Sequence, residues 1–206
     1  DTELYNAGAT TYLDGQAFDE NTWAYVVRSL DAQDIEVGTE ALLLRRKERL
    51  PWLVDHGLVG FAYQVLEDEV ARRASALRDE ARAIHPEFEF GLYIPFARTA
   101  WFYRGLMRAW GTPEKPLLVL TYDTVTHRLR TSLQKEGIHV HLLGGLLGVL
   151  FEPFDFENAL VNSGLRSDGY WLFQYGDFPD IDDPAFTDTK HASPDVYWKA
   201  VEQANQ

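Results

Sequence analysis

The chain has 206 residues, of which 46% are apolar and 25% are charged, a balance that is typical of a globular protein and excludes a disordered one. Its net charge of −13 argues against a nucleic-acid partner and against an anionic membrane surface, because both need a basic protein face. There is no cysteine, so a disulfide framework and thiolate chemistry are excluded, and no apolar run is long enough to predict a membrane span.

A repeated unit of a short apolar strand, a loop and an amphipathic helix is predicted along the chain. The predicted strands are "TELYN" from Thr2, "GLVGFAYQ" from Gly57, "FEFGLYI" from Phe88, "LLVLTYD" from Leu117, "IHVHLLGG" from Ile138 and "DGYWLFQY" from Asp168. The predicted helices cover residues 21–30, 38–57 with an interruption at Pro51, 66–84, 98–111, 126–137, 156–162 and 193–204. The helix over 66–84 has the clearest pattern, because its apolar residues recur every three or four positions.

Strands that alternate with helices predict an α/β fold with parallel pairing and right-handed crossovers. No glycine-rich phosphate fingerprint follows any predicted strand, so a dinucleotide fold has no local support. A (β/α) barrel has eight such units in roughly 250 residues. We therefore predict a single (β/α)-barrel domain over residues 1–206 that holds about six of the eight units and lacks the first two, with an acidic, proline-containing tail and a terminal helix over 176–206. An open six-stranded sheet is the alternative.

The active site of a barrel lies at the carboxyl ends of its strands, and two acids stand at the end of the first predicted strand. Asp1 and Glu3 are two residues apart, so in a strand they face the same side. Two carboxylates that share a poorly solvated space raise one pKa, which a general acid at neutral pH requires. Asp123, at the end of an otherwise apolar strand, is the third candidate catalytic residue. Exposed acids at a chain end, and a helix cap at Asp123, are the structural alternatives.

Aromatic and polar side chains recur at the predicted strand ends and form the candidate substrate-binding set. Sugars present C–H faces that stack on aromatic rings and hydroxyls that accept and donate hydrogen bonds. The set comprises Tyr5, Asn6, Tyr63, Glu67, Tyr93, Tyr122, Trp171 and Tyr175. Packing in the core is the alternative for each ring, and a favourable position in the first turn of a helix is the alternative for Glu67.

A metal site is a second hypothesis. His139 and His141 form a His-x-His pair on one face of the fifth predicted strand, a spacing that some metal hydrolases use. We predict that both are among the polar residues at the carboxyl ends of the strands. No closed set of ligands is evident around them, so we predict neither a metal nor another cofactor. The aspartate-rich stretch 176–188 lacks the spacing of a calcium loop, and we interpret it as a solvated surface loop.

Three stretches resemble glycoside-hydrolase-like TIM barrels. "DTELYN" from Asp1 is similar to the Asp-x-Glu strand end of chitinase-like barrels. "EFEFGLYI" from Glu87 and "KPLLVLTYD" from Lys115 resemble later barrel strands. "SGLRSDGYWLFQYGDF" from Ser163 is similar to the closing strand, where an aromatic residue forms the floor of a sugar subsite. The resemblance implies retaining or substrate-assisted hydrolysis with Glu3 as the proton donor and Asp1 beside it, and it favours a secreted or cell-surface location.

The leading prediction is thus a glycoside hydrolase that acts on a poly- or oligosaccharide. The alternatives are a metal-dependent hydrolase built on His139, His141 and Asp123, and a non-catalytic barrel that binds glycans or another protein. A barrel that lacks two strands has two open edges, so we expect an N-terminal fragment or a second copy of the chain to cover them.

Overall fold

A computed structural model describes residues 19–94, 101–121, 127–148, 151–173 and 193–206. The chain divides into two compact units, one formed by Asp1–Phe88 and Ala97–Thr112 and the other by Glu89–Phe96 and Pro113–Gln206. We call them unit 1 and unit 2 and describe each by itself. The helices are α1 Glu20–Asp31, a 3₁₀ turn Thr39–Leu43, α2 Arg46–Asp55, α3 Val59–Ile84, α4 Trp101–Trp110, α5 His127–Lys135, α6 Pro153–Arg166 and α7 Pro194–Ala204. The strands are β1 Gly91–Tyr93, β2 Leu117–Thr121, β3 Val140–Leu147 and β4 Tyr170–Phe173.

The described residues confirm the predicted α/β class. The four strands form one sheet in the order β1-β2-β3-β4, and every neighbouring pair is parallel. These strands are the third to sixth of the predicted set. No helix in the described ranges has both the length and the apolar character that crossing a membrane needs.

Unit 1 is helical in its described residues, and its core surrounds Trp23. Asp19 begins α1 by accepting a hydrogen bond from the Thr22 amide at 2.8 Å. The helix then buries Trp23, Val27 and Leu30, which recur at helical spacing on one face. The indole of Trp23 donates to the Ala41 carbonyl at 2.8 Å, and this bond ties α1 to the 3₁₀ turn.

The strand predicted over 57–64 is wrong, because these residues begin the long helix α3. A short apolar run does not distinguish a buried strand from a buried helix. Here Leu58, Phe61, Ala62, Val65 and Leu66 follow the spacing of one helix face, and that spacing continues into the predicted helix. The interruption predicted at Pro51 is also wrong, since Pro51 lies inside α2. The end predicted for this helix at Gly57 fits, because α2 ends just before it.

Among the described residues of unit 2, helices cover one face of the sheet, and the other face, which we call the open face, is partly exposed. The covered face carries Leu146, Tyr170 and Leu172, which pack against the helices α6 and α7. Four buried side chains from those helices complete this core: Phe156, Leu160, Tyr197 and Ala200. Alternate residues point to the open face, and each of them is partly or fully exposed: Gly91, Tyr93, Leu118, Leu120, His141, Leu143, Gly145, Leu147 and Trp171.

Strand β3 has the predicted length of 8 residues but lies two residues later in the chain, from Val140 to Leu147, so Gly144 and Gly145 are inside it rather than at its end. The two glycines point to opposite faces of the sheet. A Cβ at Gly144 would collide with Ser163 of α6, and a Cβ at Gly145 would collide with the indole of Trp171. A close neighbour thus lies against this strand on each face.

Candidate functional site

Two of the predicted sugar-binding residues come together on the open face of unit 2. Tyr93 is the last residue of β1, and Trp171 lies on β4 at the other side of the sheet. Their ring centroids are 5.7 Å apart and the rings are nearly perpendicular, an edge-to-face arrangement that aromatic pairs favour. The two rings therefore meet over the strands β2 and β3, which separate Tyr93 from Trp171 in the sheet.

The backbone of β3 and β2 holds the indole in this position. Gly145 is paired with Trp171 in the sheet register, and the indole lies over it: a Cβ at position 145 would be 2.6 Å from Cε2 and 2.7 Å from Nε1. The Nε1–H group donates to the carbonyl of Thr121, the last residue of β2, at 3.3 Å. The ring thus lies against the sheet with its N–H directed at β2.

Exposure separates this ring pair from a core cluster. Tyr93 is 49% exposed, and Trp171 is only partly buried. The open face around them contributes partly exposed Leu120 and Leu143. A flat indole with a perpendicular phenol beside it offers a shallow apolar platform, which suits a ligand that has an apolar face and polar edges. We call Tyr93, Thr121, Gly145 and Trp171 the ring platform.

The two histidines share the open face but lie toward the other end of the sheet. His141 is the second residue of β3 and is exposed, and His139 precedes the strand. The prediction that they stand at a carboxyl strand end is therefore wrong, because β3 runs from Val140 to Leu147 and the pair lies at its amino end. Within the described ranges, no group of three or more histidine and acidic side chains is arranged to hold a metal ion.

Tyr63 does not lie at a strand end, because its segment is helical. Its side chain is 5% exposed and belongs to the core of unit 1. The strand-end position predicted for Tyr63 is wrong, because a short apolar run does not distinguish a buried strand from a buried helix. In unit 1, Tyr63 packs with Trp23 and Leu66 in one buried cluster.

Glu67 is also on α3, where it forms a buried ionic cluster with α4. Its carboxylate is 2% exposed and accepts from Arg104 Nε at 3.0 Å and from Arg108 Nη1 at 2.8 Å. Arg108 also donates to Asp68 at 2.7 Å. Partial burial opposes the charge of Arg108, but the hydrogen bonds to Glu67 and Asp68 outweigh it and raise the pKa of Arg108. The predicted position of Glu67 at a strand end is wrong, and so is the alternative of a first-turn position, because α3 begins eight residues earlier at Val59.

Sequence reasoning identified both rings of the platform but missed their supports. Thr121 contributes a backbone carbonyl, which no side-chain pattern can reveal. Gly145 could have been identified from the sequence, because a glycine inside a strand often marks a position that another group approaches closely. The register Gly145↔Trp171 identifies that group.

Several predicted site residues lie outside the described residues. They are the candidate catalytic residues Asp1, Glu3 and Asp123 and the candidate binding residues Tyr5, Asn6, Tyr122 and Tyr175. The first predicted strand and the whole of the aspartate-rich stretch 176–188 lie outside them as well. Their roles stay predictions.

Comparison of the chain with protein-family models, with curated proteins and with solved structures found no match. The ring platform is therefore interpreted from its own geometry and chemistry.

Proposed function

We propose that this chain binds a carbohydrate on the ring platform of unit 2 and that it is a glycoside hydrolase. The observation that carries the binding proposal is the position of Trp171, whose indole lies over Gly145 on the open face and contacts Tyr93 edge to face. The predicted acid pair Asp1 and Glu3 supplies the chemical hypothesis for hydrolysis.

The shape and polarity of the platform support a sugar over a purely apolar ligand. A pyranose ring has a C–H face that stacks on an indole and hydroxyl edges that need water or polar groups. The platform is shallow and partly exposed, so those edges remain solvated when the apolar face is covered. The Nε1–H group of Trp171 is directed at Thr121, so stacking is the interaction that the indole offers.

The finer fold that we propose is a (β/α) barrel. The strand order runs without reversal from β1 to β4, and α6 and α7 cover one face of the sheet. Right-handed crossovers in one continuous direction place their helices on one face, as in a barrel, whereas a doubly wound sheet reverses its order. In a barrel the open face would be the interior, and Tyr93 and Thr121 would stand at the active-site end of their strands.

The proposed hydrolysis uses carboxyl groups. Glu3 would protonate the leaving oxygen as the glycosidic C–O bond breaks, and a second carboxylate, Asp1 or Asp123, would stabilise or attack the anomeric carbon before water completes the cleavage. The resemblance of "DTELYN" to chitinase-like strand ends supports Glu3 as the acid. A non-catalytic glycan-binding protein would share the platform and lack this step.

Binding is tested with soluble tetrasaccharides of glucose, N-acetylglucosamine, xylose and mannose by titration calorimetry. We expect at least one to bind the wild type, and Trp171→Ala to weaken that binding about tenfold, as expected for a lost aromatic stack. Trp198→Ala is the matched control, because Trp198 is 40% exposed on α7 and stands apart from the ring platform. Equal weakening by both variants, or no binding to the wild type, would contradict the proposal.

Hydrolysis is tested by release of reducing sugar from the bound oligosaccharide. Glu3→Gln should abolish release and leave the calorimetric affinity unchanged, because the amide keeps the shape of the side chain and loses its acidic proton. Wild-type binding without any release would favour the non-catalytic alternative. An unchanged rate in Glu3→Gln would remove Glu3 from the mechanism.

A further inference from the structure

We propose that Gly145 is the positioning residue of the ring platform: it is the position that permits the indole of Trp171 to lie against β3 and to donate to Thr121. The inference rests on the proposed function only for its effect on sugar affinity. The claim that Gly145 sets the position of the Trp171 indole concerns the ligand-free protein and does not depend on sugar binding.

The indole of Trp171 occupies the space into which a side chain at position 145 would extend. A Cβ at this position would lie 2.6 Å from Cε2, 2.7 Å from Cζ2 and 2.7 Å from Nε1 of Trp171. Carbon atoms in contact are normally 3.5–4.0 Å apart, so any larger residue at 145 must displace the indole. The atoms it would meet belong to the end of a side chain, so the ring moves more easily than the strand.

The direction of the displacement determines its consequence. The indole spans from β4 over β3 and reaches the carbonyl of Thr121 on β2 at 3.3 Å, near the upper limit for a hydrogen bond. Lifting the ring from Gly145 lengthens this bond further and breaks it. The edge-to-face contact with Tyr93, at a centroid distance of 5.7 Å, changes with it. A single methyl group at 145 therefore alters the surface that a sugar would meet.

The neighbouring glycine shows that the effect is specific to one face. Gly144 points to the covered face, where a Cβ would meet Ser163 of α6. Gly144 thus leaves space for helix α6, and Gly145 leaves space for the indole of Trp171. Only the substitution at 145 is expected to change Trp171.

The first test uses the ligand-free protein labelled with ¹⁵N at its six tryptophans. Trp171→Phe assigns the Nε1–H signal of Trp171. We expect Gly145→Ala to move this signal and to increase its hydrogen-exchange rate about fivefold, as expected for the loss of one hydrogen bond. Gly164→Ala is the control, because a Cβ at that position has no neighbour within 4 Å. An unchanged Trp171 signal in Gly145→Ala would overturn the inference.

A second measurement covers the case in which Gly145→Ala disturbs the fold. Phenylalanine at 171 lacks the indole atoms that a Cβ at 145 would meet. Gly145→Ala should therefore shift the urea midpoint of unfolding at least twice as far in the wild type as in Trp171→Phe. Equal shifts in the two backgrounds would show that position 145 acts on the strand and would overturn the inference.

A third measurement tests whether Gly145 affects the affinity for sugar. Gly145→Ala should weaken the tightest-binding tetrasaccharide about tenfold, as Trp171→Ala does, and Gly164→Ala should not weaken it. Unaltered affinity in Gly145→Ala would overturn the positioning role. If no tetrasaccharide binds the wild type, the binding proposal fails, and the ligand-free spectrum still decides whether Gly145 positions the indole.

Discussion

Glu67 in unit 1 and Trp171 in unit 2 were both predicted to bind substrate, and the structure gives them opposite surroundings. Glu67 is 2% exposed, and both of its carboxylate oxygens accept from arginines of α4. Trp171 is partly exposed, and its ring stands beside half-exposed Tyr93. A buried polar group whose hydrogen bonds are satisfied inside the protein contributes to the stability of the fold. An exposed aromatic surface that the fold holds in place is typical of a binding site.

The comparison predicts a separation of effects between the two units. Substitutions in the Glu67 cluster should lower the free energy of unfolding and leave sugar affinity unchanged where the protein is folded. Trp171→Ala in the ring platform should instead weaken sugar binding and lower the free energy of unfolding less than the Glu67 substitution does. Substitutions at Glu67, Gly105 and Glu69 test the expected effects on the stability of unit 1.

Glu67→Gln should lower the free energy of unfolding by about 3 kcal/mol, because it leaves two partly buried guanidinium groups without their carboxylate. Chemical denaturation measures the change. Asp68→Asn is the matched control: Asp68 binds the same Arg108 but is 53% exposed, so its loss should cost about 0.5 kcal/mol. Comparable losses in the two variants would show that burial of Glu67 does not matter.

Gly105→Ala should lower the free energy of unfolding by about 2 kcal/mol, through overpacking where α4 crosses α3. A Cβ at 105 would be 2.7 Å from the carbonyl oxygen of Glu67 and 2.7 Å from Cβ of Val70. Gly60→Ala, on α3, has no neighbour within 4 Å of the added Cβ and should stabilise the helix by about 0.5 kcal/mol. Thermal unfolding distinguishes them, and a stabilised Gly105→Ala would contradict the close crossing.

Glu69 gives the smallest effect, and it depends on pH. Hydrogen bonds from Arg72 foremost, and also from Arg73, lower the pKa of Glu69 from 4.5 to about 2 against the opposing effect of partial burial. A lowered pKa in the folded state adds stability that is fully present above pH 4.5 and is lost as the pH falls toward 2. Both arginines are largely exposed, so solvent screening reduces this contribution to about 1 kcal/mol.

Urea midpoints at a series of pH values test the contribution of Glu69. The wild type should lose more stability than Glu69→Gln as the pH falls through this window. Glu80→Gln, which removes an exposed acid of the same helix, should follow the wild type. Parallel pH profiles for the wild type and Glu69→Gln would contradict the assignment.

Local patterns predicted the elements better than the contacts between them. Each strand predicted over 88–94, 117–123, 138–145 and 168–175 overlaps an observed strand, although the bounds differ. Each is a short apolar run bounded by residues that favour turns. The run at 57–64 has similar composition but continues into a helical pattern, and the sequence gives no local reason to choose the strand. The partners of Glu67 lie 37 and 41 residues away, so a first-turn explanation could not foresee them.

The candidate site was predicted in part for a related reason. Tyr93 and Trp171 follow from aromatic residues at strand ends, and they share a face because the parallel register is regular. The direction of the indole does not follow, because it depends on Gly145 on the neighbouring strand and on the carbonyl of Thr121 on the next. The strand register and the side-chain rotamer together determine that direction, and neither can be predicted from the local sequence.

The most direct test of the sugar-binding account is a titration of the ¹⁵N-tryptophan protein with the tightest-binding tetrasaccharide. We predict that the Nε1–H signal of Trp171 shifts saturably, with the affinity found by calorimetry, and that the signal of Trp198 stays in place. Saturable binding that moves other tryptophan signals and leaves that of Trp171 unchanged would contradict the account.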